Sequence, residues 1–303
     1  SSLNANTTAS NNTAMGTAAM YANTTGYSNV AVGSDAMQQN TTGYQNTSVG
    51  KNSFDANTTG AANTAMGFGA LGANTTANYN TAVGWNALDA NTTGTTNVAM
   101  GANALGTVTT GSQNTSIGLN AGGSITTGGN HLMLGYDSGN SGSPGGAITT
   151  GNNEVTIGNS SHSKINTQVS ITVASDERDK TDFADLDLGL AFVNQLAPVT
   201  YKWDKRAKYV DWAANPDTDL NSITPDGTHK ESWLDVGFKA QAVNVLEEAA
   251  GYTVSDEKNL TVSLSGDGKQ YGLRYEKFVP ILVKAVQELS AKVEELESKL
   301  NGE

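Results

Sequence analysis

Asn80-Thr-Ala-Val-Gly84 is the stretch on which the reading of this chain turns, because it returns with small changes every 17 residues. Upstream it stands as Asn12-Thr-Ala-Met-Gly16 and downstream as Asn114-Thr-Ser-Ile-Gly118, and its closing glycine recurs at intervals of 17 from Gly16 to Gly135. A second word, Asn-Thr-Thr-Gly or Asn-Thr-Thr-Ala, keeps the same beat from Asn6 to Asn91 and continues as Val108-Thr-Thr-Gly111 and Ile125-Thr-Thr-Gly128. An insertion, Asp137 to Gly146, interrupts the beat before Ile148-Thr-Thr-Gly151 and Asn153-Glu-Val-Thr-Ile-Gly158 resume it. A fixed period of this kind marks a stacked repeat, in which each unit covers its neighbours.

β-branched Thr and Val favour extended chain and the glycines permit tight corners, so each unit is predicted to hold two short strands. Large apolar residues fall in two columns, one from Met15 through Val32 and Val83 to Leu134, the other from Met20 through Phe54 to Leu105. Two such residues per coil do not offset the conformational entropy of ordering it. The coils are therefore expected to stack into a β-solenoid, and three chains to associate about a fibre axis as a homotrimer. The Asn columns are expected to form hydrogen-bonded ladders at about 4.8 Å per coil. Asn and Thr of the repeat then read as corner and ladder residues, with a sugar or ion site on the repeat face as the alternative. The few ionisable residues of 1–165, among them Asp35, Asp55, Asp89 and Lys51, read as unpaired within their columns, so no catalytic carboxylate pair is expected.

Composition excludes several functions. The chain has 303 residues, no cysteine and three histidines (His131, His162, His229), which rules out a disulfide framework and the common zinc ligand sets. No cofactor or metal is expected. A formal charge of −12 argues against a nucleic-acid partner, since phosphate backbones require dense Lys and Arg. No apolar run approaches the roughly 20 residues that cross a bilayer, so membrane insertion is not expected. The opening Ser1-Ser2-Leu3, without Met, reads as the C-terminal piece of something longer.

Residues 1–165 hold five of the 29 acidic and two of the 17 basic side chains, and from about Ser170 the chain becomes charged and mixed. Leu186, Leu190, Phe192, Val193 and Leu196 space as an amphipathic helix stopped by Pro198. A strand is predicted at Val199-Thr-Tyr201-Lys-Trp203, then a long polar loop to about Ser232, then Gly237-Phe238 leading into a helix through Ala242 to Ala250. Leu260 to Leu264 and Gln270 to Tyr275 read as a hairpin around Ser265-Gly-Asp-Gly268. That glycine turn lacks the spacing and following helix of a phosphate loop. Over 279–300, Val279, Leu282, Val286, Leu289, Val293, Leu296 and Leu300 step by three and four as a short coiled coil. Val at a and Leu at d favour two strands over three, and a helix buried against its own domain is the other reading.

Four words give the second half a family likeness: Ser175-Asp-Glu-Arg178-Asp-Lys180, Leu196-Ala-Pro198-Val-Thr-Tyr201-Lys-Trp203, Gly237-Phe238-Lys-Ala240-Gln241-Ala-Val243 and Tyr271-Gly-Leu-Arg-Tyr275. In that order, residues 175–303 closely resemble the intramolecular chaperone domain at the C-terminus of phage tail fibres and endosialidase-type tailspikes. Lys239 and Ala242 depart from the family's pattern, as does the individual loop from Lys205 to Ser232. The repeat words resemble, more loosely, the heads of trimeric autotransporter adhesins and the shafts of phage fibres.

The resemblance implies a domain that trimerises, sets the register of the upstream shaft and then cuts itself away between Ala174 and Ser175. Ser175 is then the nucleophile and Lys180 the base, with Asp176 and Arg178 in support. A serine hydroxyl is a poor nucleophile until a neighbouring base takes its proton, and a lysine serves once burial or nearby cations favour its neutral form. Read from residues alone, Ser175 is equally an N-cap of a short helix with Arg178 and Lys180 on its surface.

The expected organisation is a mainly β repeat shaft at 1–165, a neck with the cleavage junction at 166–174 and an α+β chaperone domain at 175–303 ending in a coiled-coil helix. The expected function is a virion tail fibre or tailspike, assembled in the host cytoplasm, whose partners are its own copies, other tail proteins upstream and a host receptor or glycan. A bacterial trimeric adhesin with the same chaperone and a glycan-degrading tailspike are the alternatives.

Overall fold

The structure is a computed structural model that describes all residues except 144, 163–164, 167, 169–172, 212–213, 216–217, 256–257, 266–267 and 303. It divides into two compact units, residues 1–163 with 205–224, and residues 164–204 with 225–303. The first is a β-solenoid. Nine three-residue strands, from β1 (Thr13–Met15) to β8 (Leu132–Leu134) and β9 (Val155–Ile157), form one parallel sheet in chain order. Neighbouring strands pair residue i with i+17, as Ala65 with Ala82, until the insertion lengthens the last step so that Leu132 pairs with Val155.

Each coil carries one strand, where the sequence reading expects two. The second apolar column explains the difference: Met20, Met37, Phe54, Leu71, Leu88 and Leu105 all adopt positive φ, between 50° and 55°, so the chain turns there instead of extending. That conformation is costly for a residue with a side chain. Complete burial offsets it, since all six are sealed in the core against the alanines of the adjacent corner and of the strand centres. The column from Met15 to Leu134 behaves oppositely. It flanks the strand centres, points away from the coil and stays at least partly exposed.

Asparagines stitch the coils together as the sequence suggests. Asn57 Nδ2 donates to Asn40 Oδ1 at 2.7 Å, Asn40 Nδ2 to Asn23 Oδ1 at 2.8 Å and Asn91 Nδ2 to Asn74 Oδ1 at 2.9 Å. In a second column the backbone N–H of Asn80 donates to Asn63 Oδ1 and that of Asn97 to Asn80 Oδ1, both at 2.9 Å, while Asn80 Nδ2 donates to the Gly94 carbonyl at 2.9 Å. Buried amides are tolerable because each finds partners one coil away. The strand-end glycine is equally constrained: Gly84 has φ +137°, and a Cβ there would lie 2.5 Å from the Gly101 carbonyl oxygen.

Further down the shaft the core changes hands. Val108, Ile125 and Ile148 replace the first Asn ladder, and Gly122 and Gly139 replace the large apolar column. The space is filled from neighbouring columns: a Cβ on Gly122 would meet Leu105 Cδ2 at 2.7 Å and Ile125 Cδ1 at 3.2 Å, and one on Gly139 would meet Sδ of Met133, which stands at a strand centre, at 2.6 Å.

The second unit is small and α+β. Its core joins Leu188, Phe192, Val243, Val262, Phe278 and Ile281. The helix expected from Leu186 shrinks to α1 (Leu190–Val193), because Gly189 breaks it. A Cβ on Gly189 would overlap the Glu288 carboxylate, which accepts from the Leu190 N–H at 2.8 Å. β10 (Val199–Tyr201) pairs antiparallel with β11 (Asp235–Gly237), a strand that the sequence reading does not assign. α2 (Ala240–Ala249) follows, and β12 (Val262–Leu264) pairs with β13 (Tyr271–Leu273) as the expected hairpin, of whose turn positions 266 and 267 lie outside the described residues. α3 (Phe278–Asn301) ends the chain.

Asn57→Ala should destabilise the shaft by about 3 kcal/mol, because it strands several buried donors and acceptors at once. Asn6→Ala, at an exposed position of the same column, should cost less than about 1 kcal/mol. Thermal unfolding followed by circular dichroism separates the two; equal losses would contradict the ladder account.

Candidate functional site

Ser175 opens the resembling region, and the chain after it folds into one short 3-10 turn, Glu177–Asp179. The residue that caps this turn is Asp176, whose carboxylate accepts from the Arg178 N–H at 2.9 Å. The alternative in which Ser175 is the cap is therefore not the one adopted, and its hydroxyl is left for Lys180. Lys180 Nζ lies 2.6 Å from Ser175 Oγ and 3.2 Å from the Ser175 carbonyl oxygen, donating to both. Arg178 wraps back on Asp176 through Nε at 3.0 Å and Nη2 at 2.6 Å. These charge-assisted bonds to Arg178 hold the Asp176 carboxyl below the usual carboxylate range. All four side chains are exposed to solvent, so the Asp176–Arg178 pair shapes the turn more than it stabilises the fold. Ala174 is described and exposed, whereas 167 and 169–172 of the neck lie outside the described residues.

Three of the four quoted words meet in the second unit. Val199 pairs with Gly237, and a Cβ on Gly237 would overlap the Tyr275 hydroxyl and approach Tyr201 Cε1 to 3.4 Å. Phe238 stacks on Phe278 at 5.3 Å and on Tyr275 at 6.3 Å, and its N–H donates to the Tyr275 hydroxyl at 3.2 Å. One buried acid goes unread in the sequence: Glu247, fully enclosed, accepts from the N–H of Thr261 at 2.6 Å and of Leu260 at 3.2 Å, tying α2 to the hairpin. Its signal is positional, since it lies one helical turn after Val243 on the buried side of α2.

α3 divides its faces. Phe278, Ile281 and Ala285 are buried in the unit's own core, while Val279, Leu282, Val286, Leu289, Val293, Leu296 and Leu300 are between 45% and 86% exposed. The helix thus uses one side against its own domain and leaves the heptad seam open. No helix among the described residues is long and apolar enough to cross a membrane, and no cluster of three potential metal ligands occurs among them.

The carboxylates of the shaft correct one expectation. Asp55 and Asp89 share a column two coils apart, with Gly72 between them, where a Cβ would lie 3.6 Å from Asp55 Oδ1 and 2.6 Å from Asp89 Oδ1. The missing side chain lets the two acids face one notch. Burial pushes both carboxyls above their usual range, and for Asp55 the charges of Asp89 and Asp35 add to the rise.

A β-solenoid thus precedes a smaller α+β unit whose C-terminal helix leaves its heptad seam exposed. Residues 175–252 match the family model described as the chaperone of endosialidase. No curated protein and no solved structure matches the chain. Chaperone domain and β-solenoid shaft together fit a tail fibre or adhesin.

A carboxyl whose folded value is raised binds its proton more tightly in the native state. The stability so gained is present at low pH and lost as pH rises through the folded value. Asp55→Asn should therefore raise the melting temperature at pH 7, and the gain should shrink below about pH 4, where free aspartate also protonates. Paired thermal melts check this, and a variant less stable than the parent at pH 7 would contradict it.

Proposed function

We propose that residues 175–303 are a folding chaperone that assembles as a homotrimer, aligns three shafts and then severs the 174–175 bond, leaving a tail-fibre or tailspike shaft that contacts a host receptor or glycan. The observation that carries the proteolytic half is the 2.6 Å approach of Lys180 Nζ to Ser175 Oγ at the first residue matched by the chaperone family. In this reading Ser175 Oγ attacks the Ala174 carbonyl carbon while the Lys180 amine, having given up its own proton, takes the hydroxyl proton. The C–O bond forms as the C–N bond breaks, and the Ser175 nitrogen leaves as an amine protonated from Lys180. Water then hydrolyses the ester, returning the serine hydroxyl and freeing the Ala174 carboxylate. Asp176 and Arg178 position the turn that brings Lys180 back to Ser175.

The assembly half rests on the open seam of α3. Seven apolar residues exposed along one helix face are a poor surface for an isolated chain and a good one for a bundle of copies. Val and Leu at a and d alone favour two strands; the family resemblance favours three. A shaft of equivalent coils also needs a template, because shifting one chain by a coil leaves most columns matched. A virion tail is the location that this reading implies.

Intact mass of the wild-type protein should show fragments of 174 and 129 residues. Ser175→Ala should leave a folded, uncut chain, and Lys180→Ala should slow cutting by about 100-fold or more. Wild-type protein that keeps the bond after days of folding removes the proteolytic half and leaves the chaperone half standing. Light scattering should count three chains, and Leu289→Asp, by placing a charge in the seam, should lower the yield of folded trimer roughly tenfold; an unchanged yield speaks against the bundle.

A further inference from the structure

The outward side of the solenoid strands differs from the rest of the shaft. In each strand the central residue points into the coil and the two flanking residues point out. The second flanking column carries a large apolar side chain in every coil, and several are well exposed: Met66 and Met100 at 43%, Ile157 at 51% and Met15 at 63%. Beside it, the column two residues further on becomes aromatic or aliphatic in mid-shaft, with Phe68 at 45% and Trp85 at 52% exposed. Among the residues of these columns Lys51 alone is charged. The corner words, by contrast, present Thr hydroxyls such as those of Thr59 and Thr93 to solvent.

We infer that this strand face is where a second copy of the chain docks, parallel and coil against like coil, so that residues such as Val83 and Met100 line the contact between shafts. The inference rests on the trimeric reading above and adds to it the surface that joins the shafts. Size supports it: eight steps of about 4.8 Å make a strip about 38 Å long, and five residues of strand and corner make it about 16 Å wide. That approaches the ~800 Å² per partner of a stable interface, on a surface whose apolar length a lone soluble chain rarely leaves bare. Periodicity selects the partner. A mate must offer apolar groups at the same axial spacing over nine strands, and another copy of this chain does so at every coil. The irregularities add a small bias to the register that the chaperone would set: a slip of one coil places the Lys51 coil against the Phe68 coil and uncovers an apolar rung at each end.

The chain has no cysteine, so single cysteines report cleanly in the full-length protein. Val83→Cys should link into dimers with a short bis-maleimide, and Met100→Cys should lose native-state maleimide labelling despite its exposure in one chain. Thr93→Cys should label fully and stay unlinked. Co-expressed Val83→Cys and Ile117→Cys chains, distinguishable by a tag, should each link to their own kind; abundant mixed links would overturn the in-register docking. If scattering gives trimers while Val83→Cys and Met100→Cys label as readily as Thr93→Cys and stay unlinked, the face assignment is wrong and the trimer survives. A monomer would overturn both.

Discussion

Everything in the shaft depends on hydrogen bonds between successive coils, which the 17-residue period keeps in register. The backbone N–H of Thr81 donates to the Asn97 carbonyl at 2.8 Å, the Gly84 N–H to the Met66 carbonyl at 2.8 Å, and the ladder asparagines bridge neighbouring coils with their side chains. Once the interior is committed to buried amides, the period cannot drift, because a coil of another length would leave two rows of donors and acceptors unsatisfied. Where the period does lengthen, between β8 and β9, the columns are recovered on the far side: His131 takes the Asn position, and its Nδ1 accepts from the Glu154 N–H at 3.3 Å while Nε2 meets the Gly151 carbonyl at 2.8 Å.

The same constraint creates the weakness that the proposed chaperone would address. Identical ladders stabilise a coil and, between chains, fail to distinguish one alignment from the next. The information for alignment therefore has to come from a part of the chain that does not repeat. In the proposed reading the second unit supplies it: its core is irregular, its buried Glu247 and the Gly237–Tyr275 contact each occur once, and its last helix carries an exposed apolar seam.

Much of this was legible in the sequence because repetition amplifies weak signals. One Asn in a loop says little; six at a spacing of 17 state a ladder. The number of strands was misread for a local reason. Met20 and its equivalents look like strand residues, since apolar identity gives no hint of positive φ, and only packing pays for that backbone. β11 was missed because Asp235-Val-Gly237 has a turn-like composition and becomes a strand through its partner β10. The Asp55–Asp89 relation was overlooked because the pair is two coils apart, and the glycine that joins them is visible only as a missing side chain. At the candidate site, spacing brought Ser175 and Lys180 into the same argument, but not the part of Asp176, which takes the cap and so leaves the serine hydroxyl uncommitted.

That last detail bears on timing. Within one chain the Ser175–Lys180 approach is already present, held by a turn of three residues and an arginine clamp, so proximity is not what an unassembled chain lacks. It lacks exclusion of water, for the whole turn is exposed, and the lysine is placed as a donor to the oxygen it would have to deprotonate. In the proposed reaction an enclosing neighbour would favour the neutral amine that takes the hydroxyl proton. Cutting would then be conditional on assembly without any moving part: the serine and the lysine are already paired, and the proposed chemistry would wait for the surface that other copies would provide.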